Sequence, residues 1–250
     1  LLEAGGLEFS EKSQDIYKTS STENFPNDLE YSRLRMFGGT TGHWGGTCRT
    51  LDEYDFIKWP IKKTDLNAYL DKSLLYLNIK DHFKERNISE DIKLVEFRNS
   101  NVRFGDYYLN KIKSSKYINL ILNAYVFNFS ADENKINKIK YFYKDREKFN
   151  IKGNIFVFAL GGVENSRILL YFNNLEKKFF NKNLPIGNYW YEHPYTKFGE
   201  CLLNKKKLQQ YEDLYSMPYA FGSSKHSHTL NFSPTNKFIK ENKILNSCIF

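Results

Sequence analysis

The chain is poor in the residues that announce several kinds of protein. It has three cysteines in 250 residues, Cys48, Cys201 and Cys248, an odd number at wide spacings. That offers neither a disulfide framework nor the paired spacing of a zinc site, and leaves a reducing compartment as the default. Long hydrophobic runs are missing too. The longest uncharged stretch, Tyr117 to Ala131, is interrupted by Asn and Ser and is too short and polar to span a bilayer. The chain has no initiator Met and no signal peptide. It opens inside an apparent strand, which predicts an internal piece of a longer protein whose localisation signals, if any, lie upstream; cytoplasmic is the default. There is no internal repeat.

What is present argues for a folded core. Hydrophobic residues make up 41% and aromatics 17%, including 21 Phe and 18 Tyr, so wholesale disorder is excluded. The length suits one large domain or two modest ones. Mean hydropathy is -0.60 because Lys and Asn crowd the surface positions. The net charge of +8 invites a nucleic-acid reading. However, Lys111, Lys113, Lys116, Lys138, Lys140, Lys177 and Lys178 form no single stripe, and Lys205–Lys207 is the one compact run. The expectation is therefore no nucleic-acid partner and no membrane span.

Leu1-Leu2-Glu3-Ala4-Gly5-Gly6 reads as the end of a buried strand entering a glycine turn. Residues 7–32 read as polar loop. Thr64 is placed to cap a helix whose Leu66, Tyr69, Leu70, Leu74 and Leu77 form an apolar stripe at helical spacing, a core face. Residues 80–105 look charged and irregular, and 107–114 a short helix. Residues 117–158 favour strands, among them the alternating Lys138–Tyr143. Ile155-Phe156-Val157-Phe158-Ala159 is a continuous apolar run that predicts a strand buried on both faces. Gly161-Gly162 follows, then a helix from Glu164. This strand–glycine–helix unit is the clearest α/β signature.

Five of the 14 glycines fall between Gly38 and Gly46, with His43-Trp44 among them. Glycines so dense let backbone approach a flat or anionic ligand closely. His43 is the titratable nucleophile of this loop, and Trp44 is placed to pack beside an aromatic ligand. The alternative is a surface loop whose histidine only bonds its neighbours, and spacing alone leaves both open. Glu3, at a strand end, suits the ribose-binding carboxylate of a dinucleotide-binding unit. With Gly161 and Gly162 at a second strand end, these segments describe one site.

In order along the chain, these segments resemble the glucose–methanol–choline family of FAD-dependent oxidoreductases. Leu1–Gly6 looks like the strand that ends the family's first βαβ unit. Arg33–Gly46 looks like its flavin-contacting loop, closest to the pyranose oxidase and bacterial sugar dehydrogenase version. Asn123-Ala124-Tyr125-Val126 resembles the strand near the adenine, Phe158–Leu170 the second strand–helix turn, and Ile186–Pro194 the exit toward the substrate domain. The resemblance implies an α/β (α+β overall) fold: an FAD/NAD(P)-binding Rossmann-like domain plus a partial antiparallel-sheet substrate domain. It places the FAD domain at 1–58 and 116–186, a helical and irregular insertion at 59–115, and the substrate domain at 187–250. It implies FAD as cofactor and an alcohol or sugar oxidised at a CH–OH group, with the electron acceptor unassigned.

By the same resemblance Glu3 binds ribose, Gly38, Gly39 and Thr40 approach the cofactor by backbone, Gly45, Gly46 and Thr47 face the isoalloxazine, Val126 meets the adenine, and Gly161 and Gly162 line the second turn. His43 stands where some members join the flavin covalently and others do not. The G-x-G-x-x-G turn and the catalytic His are not in this sequence, so the chain is expected to be inactive alone. None of His43, His82, His193, His226 and His228 matches the catalytic position. His193 reads as structural, and His226-Ser227-His228 as a strand with two imidazoles on one side. A non-catalytic scaffold derived from such an enzyme is the rival reading.

Overall fold

The computed structural model describes residues 1–18, 32–132, 135–144, 147–175, 179–181, 183–189, 195–197, 199 and 228–249. In chain order the helices are α1 (Glu11–Gln14), α2 (Lys63–Asn67), α3 (Leu70–Tyr76), α4 (Phe104–Lys113), α5 (Gly162–Leu175) and α6 (Asn236–Asn242). The strands are β1 (Thr47–Cys48), β2 (Glu85–Asn87), β3 (Ile92–Asn99), β4 (Ala124–Asp132), β5 (Lys135–Tyr143), β6 (Glu147–Lys152) and β7 (His228–Pro234). The chain divides into two compact units, Leu1–Thr40 with Tyr108–Gly199, and Thr41–Tyr107 with Glu200–Phe250. The boundary falls inside the glycine-rich stretch.

The first unit is built on the antiparallel meander β4-β5-β6. Period-two alternation sorts its side chains. Phe129, Ile139 and Tyr141 fall on one face and are buried. Against this face α5 lays Ile168 and Phe172, one helical turn apart, and the Phe129 and Phe172 rings meet edge to face at 4.6 Å. Beside the meander, Leu2 and Ile121 form a parallel bridge. The Glu3 N–H donates to the Ile121 carbonyl, and the Ala124 N–H to the Glu3 carbonyl, both at 2.9 Å.

The second unit centres on β3, which takes β1 and β2 along one edge and β7 along the other, all antiparallel. Mixed helix and antiparallel sheet is thus the architecture of both units. Among the described residues, no helix is long and apolar enough to cross a membrane.

Several expectations change. Residues 80–105 are not irregular: they contain β3, whose eight residues include the buried Lys93, Glu96 and Arg98. Charges hid this strand because each is neutralised inside, Arg98 by Glu96 at 2.8 Å and Lys93 by Asp52 at 3.1 Å. Ile155–Ala159 is not a strand. Ile155 and Val157 are 84% and 83% exposed, while Phe156 and Phe158 pack on the core. One side of the run packs on the core and the other is uncovered, and it has no strand partner among the described residues.

The stripe from Leu66 is not a core face either. The helix splits into α2 and α3, Lys62 rather than Thr64 precedes its start, and only Leu74 of the five is buried. Lys62 serves because its N–H donates to the Asp65 carboxylate at 2.9 Å. The loop expected at 7–32 holds the one-turn α1, and residues 19–31 of it lie outside the described residues. His193, His226 and Cys201 also lie outside them. The helix expected at 107–114 is α4, which starts at Phe104. The lysines, finally, are not all scattered. Lys138 and Lys152 are cross-strand partners, and Lys140 follows on the same face.

Candidate cofactor site

Glu3 stands at the end of the parallel-paired segment, its carboxylate accepting the Gly5 N–H at 2.7 Å. Burial pushes this carboxyl above its ordinary range, against the lowering pull of the Gly5 amide and the Arg35 guanidinium. The Gly5 carbonyl accepts the Asn123 N–H at 2.9 Å, and the Gly6 carbonyl accepts the Phe37 N–H at 2.8 Å. A Cβ on Gly5 would lie 2.2 Å from the Arg35 carbonyl oxygen, so only glycine lets the two backbones touch. Segments 1–6, 33–39 and 123–126 therefore meet in the first unit.

The glycine turn into α5 joins them through charge. Buried Glu164, in the first turn of α5, pairs with Arg33 at 2.8 Å and Arg167 at 2.7 Å. Arg33 also lies over the Tyr17 ring at 4.1 Å, and burial, reinforced by Glu164, raises the Tyr17 hydroxyl pKa. Arg35, itself buried, donates to Ser13 Oγ at 2.6 Å and lies 5.6 Å above the Tyr125 ring. Gly161, at φ +83°, and Gly162, the first residue of α5, are exposed, and nothing lies within 4 Å of where a Gly161 Cβ would sit. Gly38 and Gly39 also take positive φ, and Thr40 is exposed. Val126 is paired with Tyr141 beside a β-bulge and packs toward the core.

The remaining predicted residues belong to the second unit. His43 is exposed. The Trp44 indole N–H donates to the Val102 carbonyl at 3.0 Å, and its ring lies 6.4 Å from Phe104. Gly46 has φ +73°, its carbonyl accepts the Ser100 N–H at 2.7 Å, and a Cβ there would lie 2.1 Å from the Ser100 carbonyl oxygen. Thr47 Oγ1 donates to Asn99 Oδ1 at 3.1 Å. Gly45 is exposed with nothing within 4 Å of a Cβ. Trp44, Gly46 and Thr47 thus have partners in their own protein, and the glycine at 46 is explained by β-sheet packing.

Sequence reasoning missed the ion network of the second unit. Asp52 Oδ2 accepts from Lys93 Nζ, Asp52 Oδ1 pairs with Arg49 at 2.9 Å, and Arg49 and Lys93 both reach Glu85. Asn246 donates to both Asp52 and Asp55. Nothing in the spacing of residues 49, 52, 85, 93 and 246 signals this meeting. A cavity of about 460 Å³ adjoins it, lined by Glu85, Glu90, Lys93, Asn236 and Lys237 among others. No residue expected to contact flavin lines that cavity or the one of about 350 Å³ beside α3.

No protein-family model matches this chain, and neither the curated proteins nor the solved structures contain a match.

Proposed function

We propose that this chain is the cofactor-binding portion of an FAD-dependent oxidoreductase resembling the glucose–methanol–choline family, acting on the CH–OH group of an alcohol or sugar. The observation that carries the proposal is the meeting of segments 1–6, 33–39, 123–126 and 161–167 in one unit, with the Glu3 carboxylate next to the parallel bridge of Leu2 and Ile121. Those residues suit the adenosine half of FAD. Glu3 offers the acceptor oxygens that a ribose diol needs. The backbone over Gly161, at the start of the 14-residue α5, is open to an anionic group.

Bound FAD supplies the hydride acceptor. Glu3 then holds the ribose hydroxyls, Arg35 fixes the approach of the loop to the Gly5 turn, and Gly161 and Gly162 present amides to the diphosphate. By the family resemblance alone, His43, which is exposed, is the candidate for a covalent tether. The rival scaffold reading draws on one observation: Trp44 and Gly46 are satisfied within the protein, so their presence needs no flavin.

Desalting the FAD-loaded protein and measuring retained flavin tests the proposal. Glu3→Gln should weaken retention about tenfold or more, as loss of a hydrogen bond to a charged acceptor does, with unchanged thermal stability. Equal retention by Glu3→Gln removes the ribose role.

A further inference from the structure

The meander of the first unit has a second face, opposite the one that α5 covers. The β5–β6 register sets Lys138 against Lys152, Lys140 against Asn150, and Phe142 against Lys148. The β4–β5 register adds Ser130, Asn128 and Tyr125 to the same face. The bulge between Val126 and Asn128 brings Phe127 there as well, its ring 4.2 Å from Phe142, which is itself 5.1 Å from Tyr125. Lys148 Nζ stands 6.0 Å from the Phe127 ring centre and 5.7 Å from that of Phe142.

Two features of this face call for a partner. The first is electrostatic. Like charges directly opposite across strands are destabilising, yet Lys138 and Lys152 are so placed. No ion pair joins Lys138, Lys140, Lys148 or Lys152 to a carboxylate among the described residues. The second is chemical. Phe127 and Phe142 form a half-exposed aromatic pair beside the cations, next to Tyr125 with Arg35 over its ring, and Lys148, Asn150 and Lys152 are exposed. A row of cations alone fits any polyanion. Cations flanking closely packed rings on one sheet face fit a chain that alternates phosphates with planar bases.

We infer that this face of the meander binds single-stranded nucleic acid, with Lys138, Lys140, Lys148 and Lys152 on phosphates and Phe142 with Phe127 stacking a base. The binding reads backbone and base planes, so it is tolerant of sequence. It uses the face opposite the α5 core and meets the flavin reading only at Tyr125, over whose ring Arg35 lies at 5.6 Å.

The test is fluorescence anisotropy of a dye-labelled oligothymidylate titrated with the whole chain at several salt concentrations. Binding should weaken with salt at a log–log slope of about -3, from about 0.7 per phosphate neutralised by each of the four lysines. Lys148→Glu with Lys152→Glu should lower affinity at least about tenfold. Lys152→Glu places opposite charges across the strands, so thermal stability should hold or rise, which separates lost binding from lost folding. Phe142→Ala should weaken binding about tenfold by removing a stacking surface. The inference is overturned by absence of binding at low salt. It is also overturned if heparin or anionic vesicles bind as tightly and Phe142→Ala has no effect, which would make the face a general polyanion patch. Equal affinity for duplex and single strand overturns it as well.

Discussion

Replacing Gly46 by Ala separates a structural glycine from a ligand-contacting one. The residue has φ +73°, where an L side chain is strained by about 1–2 kcal/mol. Its added Cβ would lie 2.1 Å from the Ser100 carbonyl oxygen, a backbone atom that cannot rotate away. Relieving the clash means separating the two backbones, and with them the 2.7 Å bond from the Ser100 N–H to the Gly46 carbonyl, a further loss of about 1 kcal/mol. Gly46→Ala should therefore destabilise by about 3 kcal/mol, read as a lowered urea midpoint. Gly45 is the control: nothing lies within 4 Å of its Cβ position and its φ is not in the left-handed region, so Gly45→Ala should be neutral or slightly stabilising. If Gly46→Ala unfolds at the same urea concentration as the unaltered protein, the packing argument fails. If Gly45→Ala lowers flavin retention without touching stability, Gly45 rather than Gly46 is the loop's cofactor contact.

Two further outcomes follow from the cores of the two units. Phe129→Ala removes a side chain with no exposure, packed edge to face on Phe172, and should destabilise by about 3–5 kcal/mol in urea denaturation. Asp52 titrates in the opposite sense from Glu3. Burial would raise its carboxyl, but the Arg49 and Lys93 charges and the bonds from Lys93 and Asn246 hold it below its ordinary 3.8. Its contribution is thus full above pH 3.8 and disappears as pH falls from there through the lower folded-state value. The urea midpoint should drop across that acid window, and Asp52→Asn should flatten part of the drop while costing about 3 kcal/mol at neutral pH by leaving buried Lys93 short of a partner.

Patterns confined to a few neighbouring residues were legible in the sequence. The Lys138–Tyr143 alternation became the C-terminal part of β5, and the glycine–helix turn became the start of α5. What escaped was set by partners far away in the chain. β3 carries Lys93, Glu96 and Arg98 inside, and their neutralising carboxylates include Asp52, which no local pattern joins to them. Ile155–Ala159 showed the converse error: a uniform apolar run says nothing about whether strands lie on either side. The lysine face was invisible for the same reason. Lys138 and Lys152 are brought opposite each other by a hairpin register that the composition does not encode. In the candidate site, the contact of Gly5 with the Arg35 backbone joins two segments 30 positions apart and was not legible locally, and Trp44 and Gly46 have protein partners that the glycine spacing did not show.

The most direct measurement is to purify the protein from expressing cells, precipitate it with acid, and record the flavin absorbance of pellet and supernatant. A flavin-binding chain yields flavin in one of the two fractions. Flavin in the pellet identifies a covalent link, to be removed by His43→Ala, and flavin in the supernatant identifies a dissociable cofactor. Protein that carries no flavin in either fraction, and retains none after incubation with FAD, contradicts the proposed function.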